Sequence, residues 1–238
     1  MLSEQAAFCL TNGRFTALCC FHLSIAVMYL AGLYGYFDVS RKASSGAPEE
    51  YAGFWKYLTY WNLIFHFVYF ALSSIADIIT PECDGYDSIL KIRGTIFAGI
   101  VFPYGVFVFL MFWGIYISNR DKIFRKEDEQ NFPAWLNHIS HTVELPVVFL
   151  EAFIVHHQYP STIEGYTLTA FLGGAYLLWL LYLGIVKDIW VYIFLKDFSC
   201  SGRAIFFMVS FAIAFILYVV GEKTHYFFWG DLSLLNVH

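Results

Sequence analysis

Charge is spaced along this chain in a way that few folds tolerate. Arg14 and Asp38 bracket 23 residues without a charged side chain, Lys56 and Asp77 bracket 20, and Arg93 and Arg120 bracket 26. Glu164 and Lys187 bracket 22 more, and Arg203 and Glu222 bracket 18. A helix needs about 20 apolar residues to cross a hydrocarbon core, so five segments qualify on length alone. The stretch over 134–156 is apolar enough to be a sixth, although it carries Asn137, His138, His141, Glu144 and Glu151. Exposing those groups to lipid would cost several kcal/mol, so this segment is expected to face the bundle interior.

These gaps predict an all-α fold, a polytopic membrane helix bundle of six transmembrane helices. Their expected ranges are about 15–37, 54–79, 93–118, 134–156, 167–192 and 204–226, in a single integral-membrane domain over 1–238. With 59% hydrophobic and 14% charged residues, a disordered chain is excluded. A net charge of −5 and no long basic run speak against nucleic acid as a partner. The first segment begins after Arg14 and has no small-x-small cleavage site behind it, so it reads as a retained helix.

Lys and Arg divide unevenly between the two sets of loops. Arg41, Lys42, Lys56, Arg120, Lys122, Arg125, Lys126, Lys187, Lys196 and Arg203 fall on one side; Arg14, Lys91, Arg93 and Lys223 fall on the other. The positive-inside tendency places the first group in the cytosol. Pro103 and Pro146 are expected to kink helices three and four. Gly173–Gly174 is expected to allow close helix contact. Trp190, Tyr192 and the 227–229 aromatics read as interfacial belts, and Arg93 is expected to snorkel to the membrane surface.

Two helices gather what polarity remains. Thr59, Asn62, His66, Ser73 and Asp77 share one face of the second helix, and Asn137, His141, Glu144 and Glu151 share one face of the fourth. His138 stands one turn before His141 on the flank of that face. The two helices run in the same direction, so Thr59 and His141 are expected at matched depth. A hydroxyl and an imidazole so placed are the minimum for nucleophilic acyl chemistry, with His taking the hydroxyl proton. The same residues are equally what interhelical hydrogen bonding would use. A metal site is a third reading: His138 and His141 form H-x-x-H, and His156–His157 follow. The two pairs lie about 22 Å apart along the helix, and His138, His141 and Glu144 drift around it.

Several stretches resemble the family of androgen-induced gene and androgen-dependent TFPI-regulating proteins. They are F-W-K-Y-L-T (54–59), F-P-Y-G-V-F-V (102–108), W-L-N-H-I-S-H-T-V-E-L-P (135–146), H-H-Q-Y-P-S (156–161), W-V-Y-I-F-L (190–195) and V-G-E (220–222). The resemblance implies a multi-pass membrane hydrolase of fatty acid esters of hydroxy fatty acids; no cofactor and no metal are expected. Its nucleophilic Thr falls on Thr59 and its essential His, the second of N-H-x-x-H-T, on His141. Asn62, His66, Asn137, His138, Glu144 and Glu151 are the candidate substrate-binding or supporting residues. Asn62 and His138 could serve the oxyanion, and Glu144 or Glu151 could orient the base. The expected partners are a lipid with two acyl chains and the surrounding membrane lipids. The competing functions are a lipid-binding or transport protein without turnover, and a metal-dependent lipid amidase.

Overall fold

The computed structural model describes residues 4–43, 51–79, 84–120 and 132–230, with side chains in the first helix from Thr16 onward. Lys122, Arg125 and Lys126 lie outside the described residues. The elements are α1 (Glu4–Ala43), a 3-10 turn (Gly53–Lys56), α2 (Leu58–Ala76) and α3 (Tyr86–Ile96). A π-helical turn (Phe97–Val101) joins α3 to α4 (Phe102–Ser118). Then come α5 (Ala134–His141), α6 (Glu144–Ile154), α7 (Thr162–Leu181) with a π turn (Tyr182–Val186), α8 (Ile193–Asp197) and α9 (Cys200–Trp229). No strand occurs among the described residues.

Among the described residues five helices are long and apolar enough to cross a membrane: Thr16–Lys42, Leu58–Ala76, Tyr86–Ser118, Thr162–Val186 and Cys200–Trp229. The fourth predicted segment is not one of them, because it is broken into α5 and α6. Pro146 is the reason. It has no N–H for the Thr142 carbonyl and its ring crowds that carbonyl, so the regular helical ladder breaks between Thr142 and Val143. The Val143 N–H reaches back five residues to the His138 carbonyl at 2.9 Å. The kink expected at this proline is a full break.

Pro103 acts more gently on α3–α4. The carbonyl it leaves free belongs to Gly99, four residues earlier. That carbonyl lies in the π-helical turn and accepts the Thr169 hydroxyl from α7 at 2.9 Å. Tyr104 returns a bond to the Thr169 carbonyl at 2.6 Å. A backbone defect in one helix therefore becomes the fastening point for another. Gly173 sits beside the Tyr104 hydroxyl, 2.7 Å from where a Cβ would lie, so the expected close contact is present there. Helix α7 begins at Thr162, before the charge-free stretch, because Ser161 and Glu164 form a reciprocal capping box.

The core has two parts. Tyr29, Leu63, Phe70, Phe97, Phe102 and Val148 are buried where α1, α2, the π-helical turn and α6 meet. Leu58, Tyr104, Leu172 and Tyr176 fill the space between α2, α4 and α7. Helices α2 and α5–α6 run parallel in a fixed register. Thr59 meets His141, Asn62 meets Glu144 and Tyr69 meets Glu151, every pair separated by 82 residues. These polar rungs run through the bundle from one end toward the other.

Candidate active site

Thr59 is the second residue of α2, which starts after an extended Tyr57. The helix start is held from outside. The Leu58 N–H donates to the Tyr176 hydroxyl at 3.0 Å, and Tyr176 donates to the Lys56 carbonyl at 3.0 Å. At this position a helix offers a backbone N–H no acceptor of its own. Thr59 is half-buried, while His141 is buried.

The Thr59 hydroxyl lies 3.2 Å from His141 Nε2. His141 Nδ1 faces the Asn137 side-chain oxygen at 2.9 Å and the Asn137 carbonyl at 3.1 Å. A backbone carbonyl can only accept, so Nδ1 carries the hydrogen. In the neutral ring Nε2 is then a lone pair aimed at the Thr59 hydroxyl. The ring is clamped against Phe112, with centroids 3.7 Å apart and planes 13° from parallel. Trp113 donates its indole N–H to the His141 carbonyl at 3.0 Å. That carbonyl belongs to the end of α5, where no later N–H of the helix reaches it. The break at Pro146 thus places His141 at a helix terminus, its ring held by Asn137 of α5 and by Phe112 of α4, and its carbonyl by Trp113 of α4.

One rung deeper, Asn62 donates to Glu144 Oε1 at 2.6 Å, and both are buried. His66 uses Nδ1 on the Asn62 carbonyl at 2.9 Å. Gly105 of α4 presses against the other side of that imidazole; a Cβ there would stand 2.9 Å from His66 Nε2. Tyr29 packs on His66 with ring centroids 5.1 Å apart. The second oxygen of Glu144, Asn62 Oδ1, His66 Nε2 and the Tyr29 hydroxyl are buried with no protein partner.

The sequence-derived set therefore divides in three. Thr59, His141 and Asn137 form one hydrogen-bonded chain. Asn62, His66 and Glu144 form a polar layer beneath it. His138 and Glu151 belong to neither. His138 is exposed and engages the Thr142 hydroxyl at 3.0 Å. Glu151 lies about 15 Å further along the helix than His141. There it takes part in a second cluster that the sequence did not assemble. His22 Nε2 is 2.9 Å from Glu151, His22 Nδ1 is 2.5 Å from Asp77, and Tyr69 donates to Glu151 at 2.6 Å. Arg93 pairs with Asp77 at 3.3 Å, with only 12% of its side chain exposed, so it does not snorkel. Among the described residues no three His, Cys, Asp or Glu are grouped so as to hold a metal ion.

The blocks that carried the family resemblance converge on this geometry: W-K-Y-L-T supplies Thr59 and N-H-I-S-H-T supplies Asn137 and His141. The profile of a family described as FAR-17a/AIG1-like protein matches residues 17–226, which span every one of those blocks. The chain belongs to the FAR-17a/AIG1-like family. Human androgen-dependent TFPI-regulating protein is 31% identical over 221 residues, covering 91% of this chain and 95% of that protein. Human androgen-induced gene 1 protein is 33% identical over 190 residues, covering 76% of this chain and 80% of that one. The mouse androgen-dependent TFPI-regulating protein is 28% identical over 220 residues. No solved structure matches the chain. It is thus a FAR-17a/AIG1-like protein with several membrane-crossing helices.

Phe112 and Trp113 are the site residues that the sequence reading missed. Aromatics make up 21% of the chain, so an aromatic on an apolar helix carries no signal by itself. Their place was marked only by depth, at the end of α4 that shares a membrane face with the start of α2.

Proposed function

We propose that this protein hydrolyses lipid esters within the membrane, acting on fatty acid esters of hydroxy fatty acids through a Thr59 nucleophile and a His141 base. The observation that carries the reading is the directed chain Thr59–His141–Asn137, in which Asn137 fixes the tautomer and leaves Nε2 facing the hydroxyl. His141 takes the Thr59 proton as the oxygen bonds the ester carbonyl carbon. The tetrahedral intermediate collapses, the bond to the alcohol oxygen breaks, and His141 returns the proton to that oxygen. A hydroxy fatty acid leaves and the acyl group stays on Thr59. Water then attacks the acyl carbon, giving its proton to His141, and Thr59 departs with that proton as the fatty acid is released.

The position of Thr59 supports this chemistry. Negative charge developing beside the first turn of α2 meets the positive end of the helix dipole. The two chains of the substrate would lie against the aromatic walls of the bundle.

The test is turnover of such an ester by purified protein, alongside labelling with a fluorophosphonate probe. Both are expected to vanish in Thr59→Ala and His141→Ala. A folded Thr59→Ala protein that keeps full hydrolysis removes Thr59 from the mechanism. Lipid movement without turnover or labelling would replace the hydrolase with a carrier.

A further inference from the structure

A groove of about 690 Å³ runs between α7 and α9 on the outside of the bundle. Leu177, Leu181, Phe207, Phe211 and Phe215 line it, and Arg203 stands at one end. Its wall on α9 extends from Cys200 to Phe215, about 22 Å of helix, against roughly 15 Å for half the hydrocarbon core. The groove is therefore as deep as a membrane leaflet and almost wholly apolar.

Arg203 is held rather than loose. Its Nε donates to the Leu195 carbonyl at 2.8 Å and its Nη2 faces the Lys196 carbonyl at 3.5 Å, both in α8. The guanidinium lies 3.8 Å over the Trp190 ring. Trp190 in turn rests on Gly184, where a Cβ would come within 2.8 Å of the indole. No carboxylate among the described residues pairs with Arg203. A fixed cation without a counter-ion among the described residues, at the mouth of an apolar groove, matches an anionic head on an apolar chain.

The groove opens at the end of the bundle where Thr59 sits. Trp179 of α7 donates to the Trp55 carbonyl at 3.0 Å, and Tyr176 bonds Tyr192 at 3.1 Å as well as the start of α2. We infer that the α7–α9 groove is a binding site for one long-chain fatty carboxylate, its chain along Phe207 and Phe211 and its carboxylate on Arg203. The choice of carboxylate over lipid phosphate rests on the hydrolase reading, because ester cleavage at this same end releases such an acid.

The experiment uses the full chain carrying Thr59→Ala in lipid nanodiscs, photolabelled with a diazirine analogue of palmitic acid. Label is expected on α7 and α9 peptides that line the groove. Palmitate should compete at least about tenfold better than its methyl ester, which has the chain but not the charge. Arg203→Gln should erase that preference, Arg203→Lys should restore most of it, and Ala212→Trp should fill the groove and suppress labelling. Equal competition by acid and methyl ester overturns the proposal, as does stronger competition by phosphatidic acid. Label spread over all lipid-facing helices, unchanged by Ala212→Trp, means bulk lipid only and also overturns it. Hydrolysis by Thr59→Ala is scored separately, so failure of the catalytic reading is distinguishable from failure of the groove.

Discussion

Asn137 decides which way the proposed chemistry runs. Without its side-chain oxygen, His141 Nδ1 keeps only the Asn137 backbone carbonyl at 3.1 Å, so the tautomer is retained while the ring loses one of its two anchors. Asn137→Ala should therefore lower kcat roughly 10- to 100-fold, as loss of an orienting partner does, and leave KM nearly unchanged. Loss through KM alone, with kcat intact, would make Asn137 a substrate contact instead. Thr59 and His141 were legible in the sequence because membrane burial makes each polar residue costly, and two helical stripes put them at one depth. Asn137 lay on the same stripe, but its role was not legible, since only coordinates show which atom of His141 it faces. His22 was invisible for another reason. It is a lone histidine on α1 and shares no stripe, and its partners come from residues 55 and 129 positions away.

At the scale of the element, two prolines do different work. Both were read as kinks, but periodicity does not say what becomes of the carbonyl four residues earlier. At Pro103 a hydroxyl from another helix takes it. Thr169→Val keeps the shape and removes that bond, so a loss of about 1–3 kcal/mol is expected on thermal unfolding in detergent. At Pro146 the helix ends instead, and the ending puts His141 within reach of Trp113. Pro146→Ala restores an N–H for the Thr142 carbonyl and favours one continuous helix. That should leave the protein as stable or more so, yet misplace the imidazole and cut kcat about 100-fold. An unchanged kcat would show that Asn137 and α4 position His141 without the break. The capping box at Ser161 is written in S-T-I-E, but a count of charge-free residues starts only after Glu164, so it places the helix start too late.

Across the whole molecule, the polar rungs connect two ends with different tasks. The end distant from Thr59 gathers His22 of α1, Tyr69 of α2, Asp77 just beyond α2, Arg93 of α3, Glu151 of α6 and His157 of the following loop. Removing one member of such a buried set strands the others, so Glu151→Ala should destabilise by about 3–5 kcal/mol. The folded fraction should retain its kcat, because Glu151 stands far from His141. His157 gives this end a pH dependence. It is buried, stacked 4.1 Å over Phe97 at 14°, and 3.4 Å from Glu151. Burial holds its pKa below the usual imidazole value, with Arg93 and His22 adding repulsion, while Glu151 opposes them without prevailing. In the unfolded chain His157 takes a proton near pH 6.5, whereas in the folded chain it does so only at lower pH. Between those two values the unfolded state binds more protons, so stability is full above about pH 6.5 and falls as the pH drops toward the folded value. Melting temperatures of the detergent-solubilised protein at pH 7.5 and 5.5 should differ, with the acidic sample lower. In His157→Gln, which cannot take up that proton, the difference should shrink; an equal difference in both proteins would assign the acid sensitivity to another group.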